Sequence, residues 1–485
     1  MTVPERERVS TGIAGLDEVV QGGLIAGRSY LFRGPAGAGK TLFGFHFLQA
    51  GVDAGESALF VNLEESIEDL RADAASLGID VDAIEFLDLS PGAEVFTEDR
   101  SYEVFSAAEV EQEPLAEAVT ERVREVDPAR VVIDPITQLH YLTTDDYQFR
   151  KQVVGLMRFL EGTGATVAFT AQETADLPAE DLQFISDGTV FLDRGPTGRR
   201  VSVPKFRGSN TRSGDHAFRI TDDGVVVYPE LDPTVHGRSF EREAVPSGVP
   251  ELDSLLNGGF ERGTVNIISG PTGVGKTTLG TQFMKEAAGR GERSVIFLFE
   301  ESERTFMQRS TAINIPVDRM VERGTLQVRE VEALDLSPQE FAAMVREEVE
   351  EEGASIVMVD GISGYRLTLR GAEESTIQRL HALGRYLKRM GVTTLFIDET
   401  ADVVGDFHAT QENVSYLADG IVFLRHLELQ GELRRAIGVL KKRTSDYERT
   451  LREFEITGHG ISVGDPLTGL RGILGGTPEF VDDEN

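Results

Sequence analysis

Short runs of apolar residues recur along the chain, each separated from the next by a longer stretch with helical spacing. In the first half these runs are Ser29–Phe32, Ala58–Asn62, Arg130–Asp134, Thr166–Thr170 and Gly188–Leu192, with helical stretches such as Thr41–Ala54 and Gln148–Glu161 between them. The runs are nearly continuous in apolar character and do not alternate. That is the pattern of strands buried on both faces of a parallel sheet, with helices packed on each side. The predicted fold class is α/β, with mainly parallel sheets.

The pattern then repeats. Thr11-Gly12-Ile13-Ala14-Gly15-Leu16-Asp17, followed by Gly22-Gly23-Leu24, returns as Ser247-Gly248-Val249-Pro250-Glu251-Leu252-Asp253, followed by Gly258-Gly259-Phe260. The offset is 236 residues (247 − 11), and at that offset Gly34 meets Gly270, Lys40 meets Lys276, Glu64 meets Glu300 and Lys205 meets Lys441. A constant register over so long a span means two copies of one domain. The copies are read as residues 1–240 and 241–474, with Pro229–Pro233 as a short linker. Residues 475–485 read as an acidic, disordered tail.

At 485 residues the chain exceeds what one core serves, and 40% hydrophobic residues suffice for proper cores. Charge is the outlier: 82 Asp+Glu against 48 Lys+Arg gives a net charge of −34. Spread along the whole chain, it suggests a solvated surface suited to high salt, where screening acts over about 3 Å at 1 M; an acidic protein of ordinary surroundings is the alternative. A broad nonspecific nucleic-acid surface is disfavoured. With no Cys, disulfides and thiolate chemistry are excluded. Met1–Arg8 is charged and lacks an apolar core, and no uncharged apolar run approaches 18 residues, so a cytoplasmic protein without membrane spans is expected.

Gly34-Pro35-Ala36-Gly37-Ala38-Gly39-Lys40-Thr41 fills every required position of a P-loop, and so does Gly270-Pro271-Thr272-Gly273-Val274-Gly275-Lys276-Thr277. Such loops wrap phosphates with backbone N–H groups at the positive end of a helix. The Lys reaches the β- and γ-phosphates, and the Thr hydroxyl ligates Mg²⁺. Leu42 and Thr278 follow directly and are included in the two sites. In the second copy a strand, Thr264–Ser269, enters the loop, and an amphipathic helix is expected to leave it. ATP with Mg²⁺ is the expected ligand pair.

Further strands end in paired carboxylates, Glu64-Glu65 and Glu300-Glu301. The first Glu of each pair would polarise an attacking water or hydroxyl, with Glu300 also at the metal. The second would complement a helix dipole, although all four are candidates for catalysis. Asp134 and Asp360 each close an apolar strand and would hold Mg²⁺, or else form a turn. Thr170-Ala171-Gln172-Glu173, matched to Phe396-Ile397-Asp398-Glu399, sits where a γ-phosphate sensor or a loop cap would sit. Lys205 and Arg207, with Lys441 and Arg443 opposite, alternate on late β-runs. They read as phosphate contacts given to a neighbouring subunit, or as ordinary surface charge.

Together these residues resemble the KaiC family of circadian-clock ATPases and its archaeal relatives, within the RecA-like superfamily. The resemblance covers about 470 of the 485 residues. It includes the opening Thr-Gly-Ile-x-Gly-Leu-Asp, the Glu-Glu pairs, Lys-x-Arg in both copies, and Asp419-Gly420-Ile421-Val422-Phe423-Leu424. It implies double-ring homohexamers with ATP at subunit interfaces in both rings, slow hydrolysis in the first ring, and added autokinase activity in the second. It also implies catalytic-base places for Glu64 and Glu300, trans phosphate places for Lys205, Arg207, Lys441 and Arg443, and further nucleotide contacts for Arg199 and Arg435. Two departures matter. The family's Ser-Thr phosphorylation pair falls on Ser415-Tyr416, and its long C-terminal tail is reduced to Gly475–Asn485. The expected function is a regulatory ATPase acting through protein partners, with Ser415 as a phosphosite. A DNA-dependent relative and a nucleotide-gated scaffold are the alternatives; the acidic stretch Pro91–Pro114 argues against DNA.

Overall fold

The computed structural model describes residues 6–90, 112–141, 143, 145–173, 180–195, 198–368, 373–400, 414–475 and 478–480. The chain divides into two compact units, Met1–Glu230 and Leu231–Asn485. In the first, nine strands form one sheet: β1 (Ser29–Gly34), β2 (Ala58–Asn62), β3 (Glu85–Asp88), β4 (Arg130–Asp134), β5 (Thr166–Gln172), β6 (Gly188–Gly195), β7 (Gly198–Phe206), β8 (His216–Thr221) and β9 (Gly224–Tyr228). Their order is β9-β8-β7-β6-β1-β5-β4-β2-β3. From β6 through β3 the neighbours run parallel, and from β6 to β9 they run antiparallel.

The second unit repeats this order with β10 (Val265–Gly270), β11 (Ser294–Leu298), β12 (Leu326–Glu330), β13 (Ile356–Asp360), β14 (Thr393–Glu399), β15 (Gly420–Leu429), β16 (Glu432–Lys442), β17 (Arg452–Thr457) and β18 (Gly460–Pro466). The expected α/β class with mainly parallel sheets is thus found twice, as two tandem RecA-like domains. Both faces of each sheet carry a core. Val132 joins the cluster on one face, whereas its neighbours Val131 and Ile133 join the cluster on the other. That two-sided burial is why the strands read as continuous apolar runs.

The helices leaving the two P-loops are α1 (Lys40–Asp53) and, in the second unit, α5 (Lys276–Gly289); between them come α2 (Ile67–Ser76), α3 (Gln112–Val126) and α4 (Asp146–Gly162). The amphipathic helix expected after the P-loop is not found. In α1, Phe43, Phe45, Phe47 and Leu48 are all buried, and α5 buries even Thr278, Thr281 and Gln282. These helices cross the middle of their sheets and are enclosed on most sides, so no polar face is needed.

Two boundaries differ from those read on the sequence. Residues 231–240 belong to the second unit. Leu231 packs on its core, the Arg238 N–H donates to the Arg389 carbonyl at 2.9 Å, and the Arg238 guanidinium donates to the Val349 and Glu350 carbonyls at 3.4 and 3.1 Å. The Phe240 ring lies against Gly263 and Gly391, where a Cβ would come within 2.6 Å of it. The sequence places these residues at the end of the first copy because their anchors in the second are distant in sequence. The tail is not wholly disordered either: Glu479–Phe480 pairs antiparallel with Leu470–Arg471, and Arg471 lies 3.1 Å from Glu479.

Candidate functional site

Each P-loop emerges from the carboxyl end of the central strand of its sheet, β1 or β10. Gly39 and Gly275 stand at the N-caps of α1 and α5 with φ of 104° and 108°. A side chain at Gly275 would meet Ile456, and one at Gly39 would come within 3.3 Å of Ile220, so glycine is required there for both conformation and room. Lys40 Nζ donates to the Gly34 and Pro35 carbonyls at 3.0 and 2.9 Å, and Lys276 Nζ donates to Pro271 at 2.9 Å. Burial lowers the pKa of both lysines, and the surrounding carboxylates oppose that shift. Ala38 and Val274 turn their side chains into the core, so they offer a ligand only backbone. Gly34 and Gly270 close their strands just before the loops turn.

Two clefts of about 430 and 410 Å³ lie over these loops. The first is lined by Ala36, Gly37, Gly39, Lys40, Thr41, Leu42, Glu64, Glu65 and Asp134. The second is lined by Thr272, Gly273, Gly275, Lys276, Thr277, Thr278, Glu300, Glu301, Asp360 and Arg435. The sheet register explains the convergence. β2 and β4 end level with each other, pairing Asn62 with Asp134, and β11 and β13 pair Leu298 with Asp360. Each glutamate pair therefore leaves the sheet beside a buried aspartate.

Thr277 Oγ1 donates to both oxygens of Asp360, at 2.9 and 3.0 Å. Asp134 accepts from Thr41 and Thr170 in the same way. Threonine and aspartate thus share one point in each cleft. Burial raises the pKa of Asp134, and it raises that of Asp360 to about 7, against the Thr277 hydrogen bond. The Glu300 carboxyl accepts from the Gly364 N–H. It is shifted upward first by burial and then by Glu399, with Lys276 opposing. Gly361 makes room for it, because a Cβ there would sit 2.8 Å from the Glu300 carboxyl. Glu301 stands just ahead of the Ser302 N-cap of the following helix. Its Oε1 is held by Arg309 Nη2 at 2.7 Å.

The match between the two copies at the sensor strand shifts by one residue. Gln172 lies opposite Gly34, and Glu399 lies opposite Gly270, so Gln172 and Glu399 are equivalent and Glu173 corresponds to Thr400. Sequence reasoning missed Asn62, whose Nδ2 donates to the Glu65 carbonyl at 2.5 Å and to Asp88 at 3.0 Å. It also missed Arg309 and the apolar walls Ile220 and Ile456, and it named Thr170 only as part of the sensor stretch, not as a donor to Asp134. Asn62 and Thr170 close strands already singled out, which was the available signal. Ile220 and Ile456 arrive from antiparallel strands that carried none.

Arg199 Nη1 donates to the Gly37 and Ala38 carbonyls at 2.7 and 3.1 Å, so it braces its own P-loop. Lys205 and Arg207 are not brought to that cleft. Phe206 pairs with Gly188, which pairs with Tyr30 near the start of β1, whereas the P-loop follows its end. Lys205 Nζ instead donates to the Gln183 and Ser186 carbonyls, and Arg207 faces Asp187 at 3.8 Å. The second unit repeats this: Lys441 Nζ donates to the Ser415 carbonyl at 2.7 Å, and Arg443 donates to the Tyr416 carbonyl at 3.3 Å. Ser415 is half-buried in a short turn, Val414–Tyr416.

A pH dependence follows from Asp360. Its folded-state pKa is raised, so its contribution to stability is present at low pH and is lost as pH rises through about 7. A divalent cation needs the ionised form and therefore competes with that proton. In a Lys40→Ala chain, Mg-nucleotide affinity of the second cleft is expected to fall about fivefold between pH 7 and pH 6. Titration with a fluorescent ATP analogue checks this; a flat profile contradicts it.

A family model described as the KaiC ATPase matches residues 9–232 and again residues 245–468. The chain is 30% identical to the circadian clock protein KaiC3 of Synechocystis sp., over 98% of this chain and 95% of that protein. It is 28% identical to the circadian clock oscillator protein KaiC of Parasynechococcus marenigrum, over 98% and 94%. The KaiC of Thermostichus vulcanus matches at 28%, over 98% and 92%.

Proposed function

The chain belongs to the KaiC ATPase family, and from that premise we propose that it binds and hydrolyses ATP with Mg²⁺ in both units as a regulatory ATPase. The observation that carries this reading is the convergence, twice, of a P-loop lysine, a threonine bonded to a buried aspartate, and a glutamate at one cleft. Lys40 and Lys276 would cradle the phosphates, Thr41 with Asp134 and Thr277 with Asp360 would hold Mg²⁺, and Glu64 and Glu300 would act as bases. Changing Lys40→Ala or Lys276→Ala is expected to lower nucleotide occupancy by about one per chain, leaving the other site filled. Loss of all binding in either single variant rejects two independent sites.

The sites are completed between copies of the chain in a double-ring homohexamer. What supports this is the position of Lys205, Arg207, Lys441 and Arg443 at the far end of the sheet from their own P-loops. The relatives' names motivate a regulatory output through protein partners. Among the described residues no helix is long and apolar enough to cross a membrane, and a cytoplasmic setting of high salt suits the net charge of −34. Nucleic acid is not proposed as a ligand; most of the acidic stretch Pro91–Pro114 lies outside the described residues.

The second unit would also act as a serine autokinase. Gly188 and Gly420 occupy the same register on their central strands (pairing with Tyr30 and Asn266), so Ser415 stands where the first unit has Gln183, and a hydroxyl is offered only in the second. Ser415 would attack the γ-phosphate of the adjoining copy's ATP, with Glu300 taking the proton and ADP leaving. Incubation with γ-labelled ATP should place label on Ser415, and Glu300→Gln should abolish it. Absence of label on residues 410–418 leaves an ATPase alone.

A further inference from the structure

We propose that Arg309 is a positioning residue of the second cleft, and that its absence from the first makes the two clefts chemically unequal. It holds Glu301 aside, so that Glu300 alone is presented as base. This rests on the reading of Glu300 as base, and it concerns which of two neighbouring carboxylates acts and what selects it.

The equivalence of the two positions is structural. Helix α2 and its counterpart α6 (Glu303–Ala312) both begin after a serine N-cap, Ser66 or Ser302, whose side chain accepts from the backbone N–H three residues on. Seven residues past each serine, two helical turns along the same face, stand Asp73 and Arg309 (66 + 7 and 302 + 7). In the second cleft the helix thus returns a cation to the strand end, and in the first it returns an anion.

The surroundings follow that difference. Arg309 lines the second cleft and bonds Glu301 at 2.7 Å; the Glu301 side chain is 18% exposed and Arg309 is 41% exposed. In the first cleft the charges that act most on Glu65 are Asp134, Glu64, Asp73 and Asp69, all acidic. The second cleft is also the one with the additional carboxylate, Glu399 in the place of Gln172. Four carboxylates line it: Glu300, Glu301, Asp360 and Glu399. Left unpaired, adjacent carboxylates compete for Lys276 and for the same metal and water. A guanidinium, with its fixed fork of donors, removes one of them from that competition. Glu300 keeps its own anchor, the Gly364 N–H.

The test is a double-mutant cycle on Glu301 and Arg309 in the full chain carrying Lys40→Ala, with steady-state ATP hydrolysis and nucleotide affinity measured together. Arg309→Ala is expected to lower kcat about tenfold with little change in KM, because it frees Glu301 to compete with Glu300 without removing a phosphate contact. Arg309→Lys should recover part of the loss. In a Glu301→Gln background the same Arg309→Ala change should have no further effect. A merely structural role would instead cost affinity, and would cost the same in both backgrounds. If Arg309→Ala leaves kcat intact, or loses an equal factor beside Glu301→Gln, this inference is wrong while the reading of the cleft stands. If the Lys40→Ala chain hydrolyses no ATP at all, both fall together.

Discussion

A Glu300→Gln chain is expected to bind nucleotide in its second cleft about as well as the parent and to hydrolyse it there about 10²- to 10⁴-fold more slowly, the range for a lost general base. Gln keeps the shape and the capacity to accept from the Gly364 N–H, but it cannot take a proton from a water or hydroxyl. The fold gives this position unusual provision: a glycine at 361 with φ of 98° whose Cβ would collide with the carboxyl, and a backbone donor from the turn beyond it. Burial together with Glu399 raises its pKa, so it holds a proton more strongly than an ordinary glutamate, as a base should. Hydrolysis is best read in the Lys40→Ala background, so that the first cleft contributes nothing. The same change at Glu64 should silence the first cleft. Turnover within threefold of the parent in either case would remove the base assignment.

Complementation between two inactive chains carries the next largest effect. Tyr30 and Gly34 are four residues apart on β1, about 13 Å along a strand. Arg207 lies just beyond Phe206, level with Tyr30, at the end of the sheet away from the P-loop. It therefore cannot serve its own cleft without unravelling β7. With the second cleft silenced by Glu300→Gln in both partners, Arg207→Ala and Glu64→Gln chains should each be inactive alone. Mixed in equal amounts under conditions that exchange subunits, about one interface in four joins an intact Glu64 to an intact Arg207. About a quarter of the parent first-cleft rate should return. If the mixture stays as inactive as its components, or if a monomer proves fully active, the trans assignment is lost.

Much of this architecture was legible without coordinates. Ala58–Asn62 and Arg130–Asp134 were read as strands with the bounds they have, because a strand buried on both faces is apolar almost continuously between its ends. The P-loops were legible because phosphate binding by backbone demands glycine at fixed spacing, and the duplication because a constant offset survives over many positions. Where the sequence misled, long-range contact was the reason. Residues 231–240 were read as the end of the first copy, yet they are tied to the second by Arg389, Val349 and Glu350, none of them close in sequence. The polar face expected on the P-loop helices is missing because both faces are covered, which no helix reveals by itself. Gln172 and Glu399 were matched one residue apart, since only the pairing with Gly34 and Gly270 fixes which side chains are level. The sequence by itself determined which groups are available for chemistry, since glycine, lysine and carboxylate patterns are constraints on local backbone and charge. Tertiary structure alone decided that Arg309 reaches Glu301 where Asp73 stands near Glu65, because a side chain's partner depends on which strand end its helix folds back against.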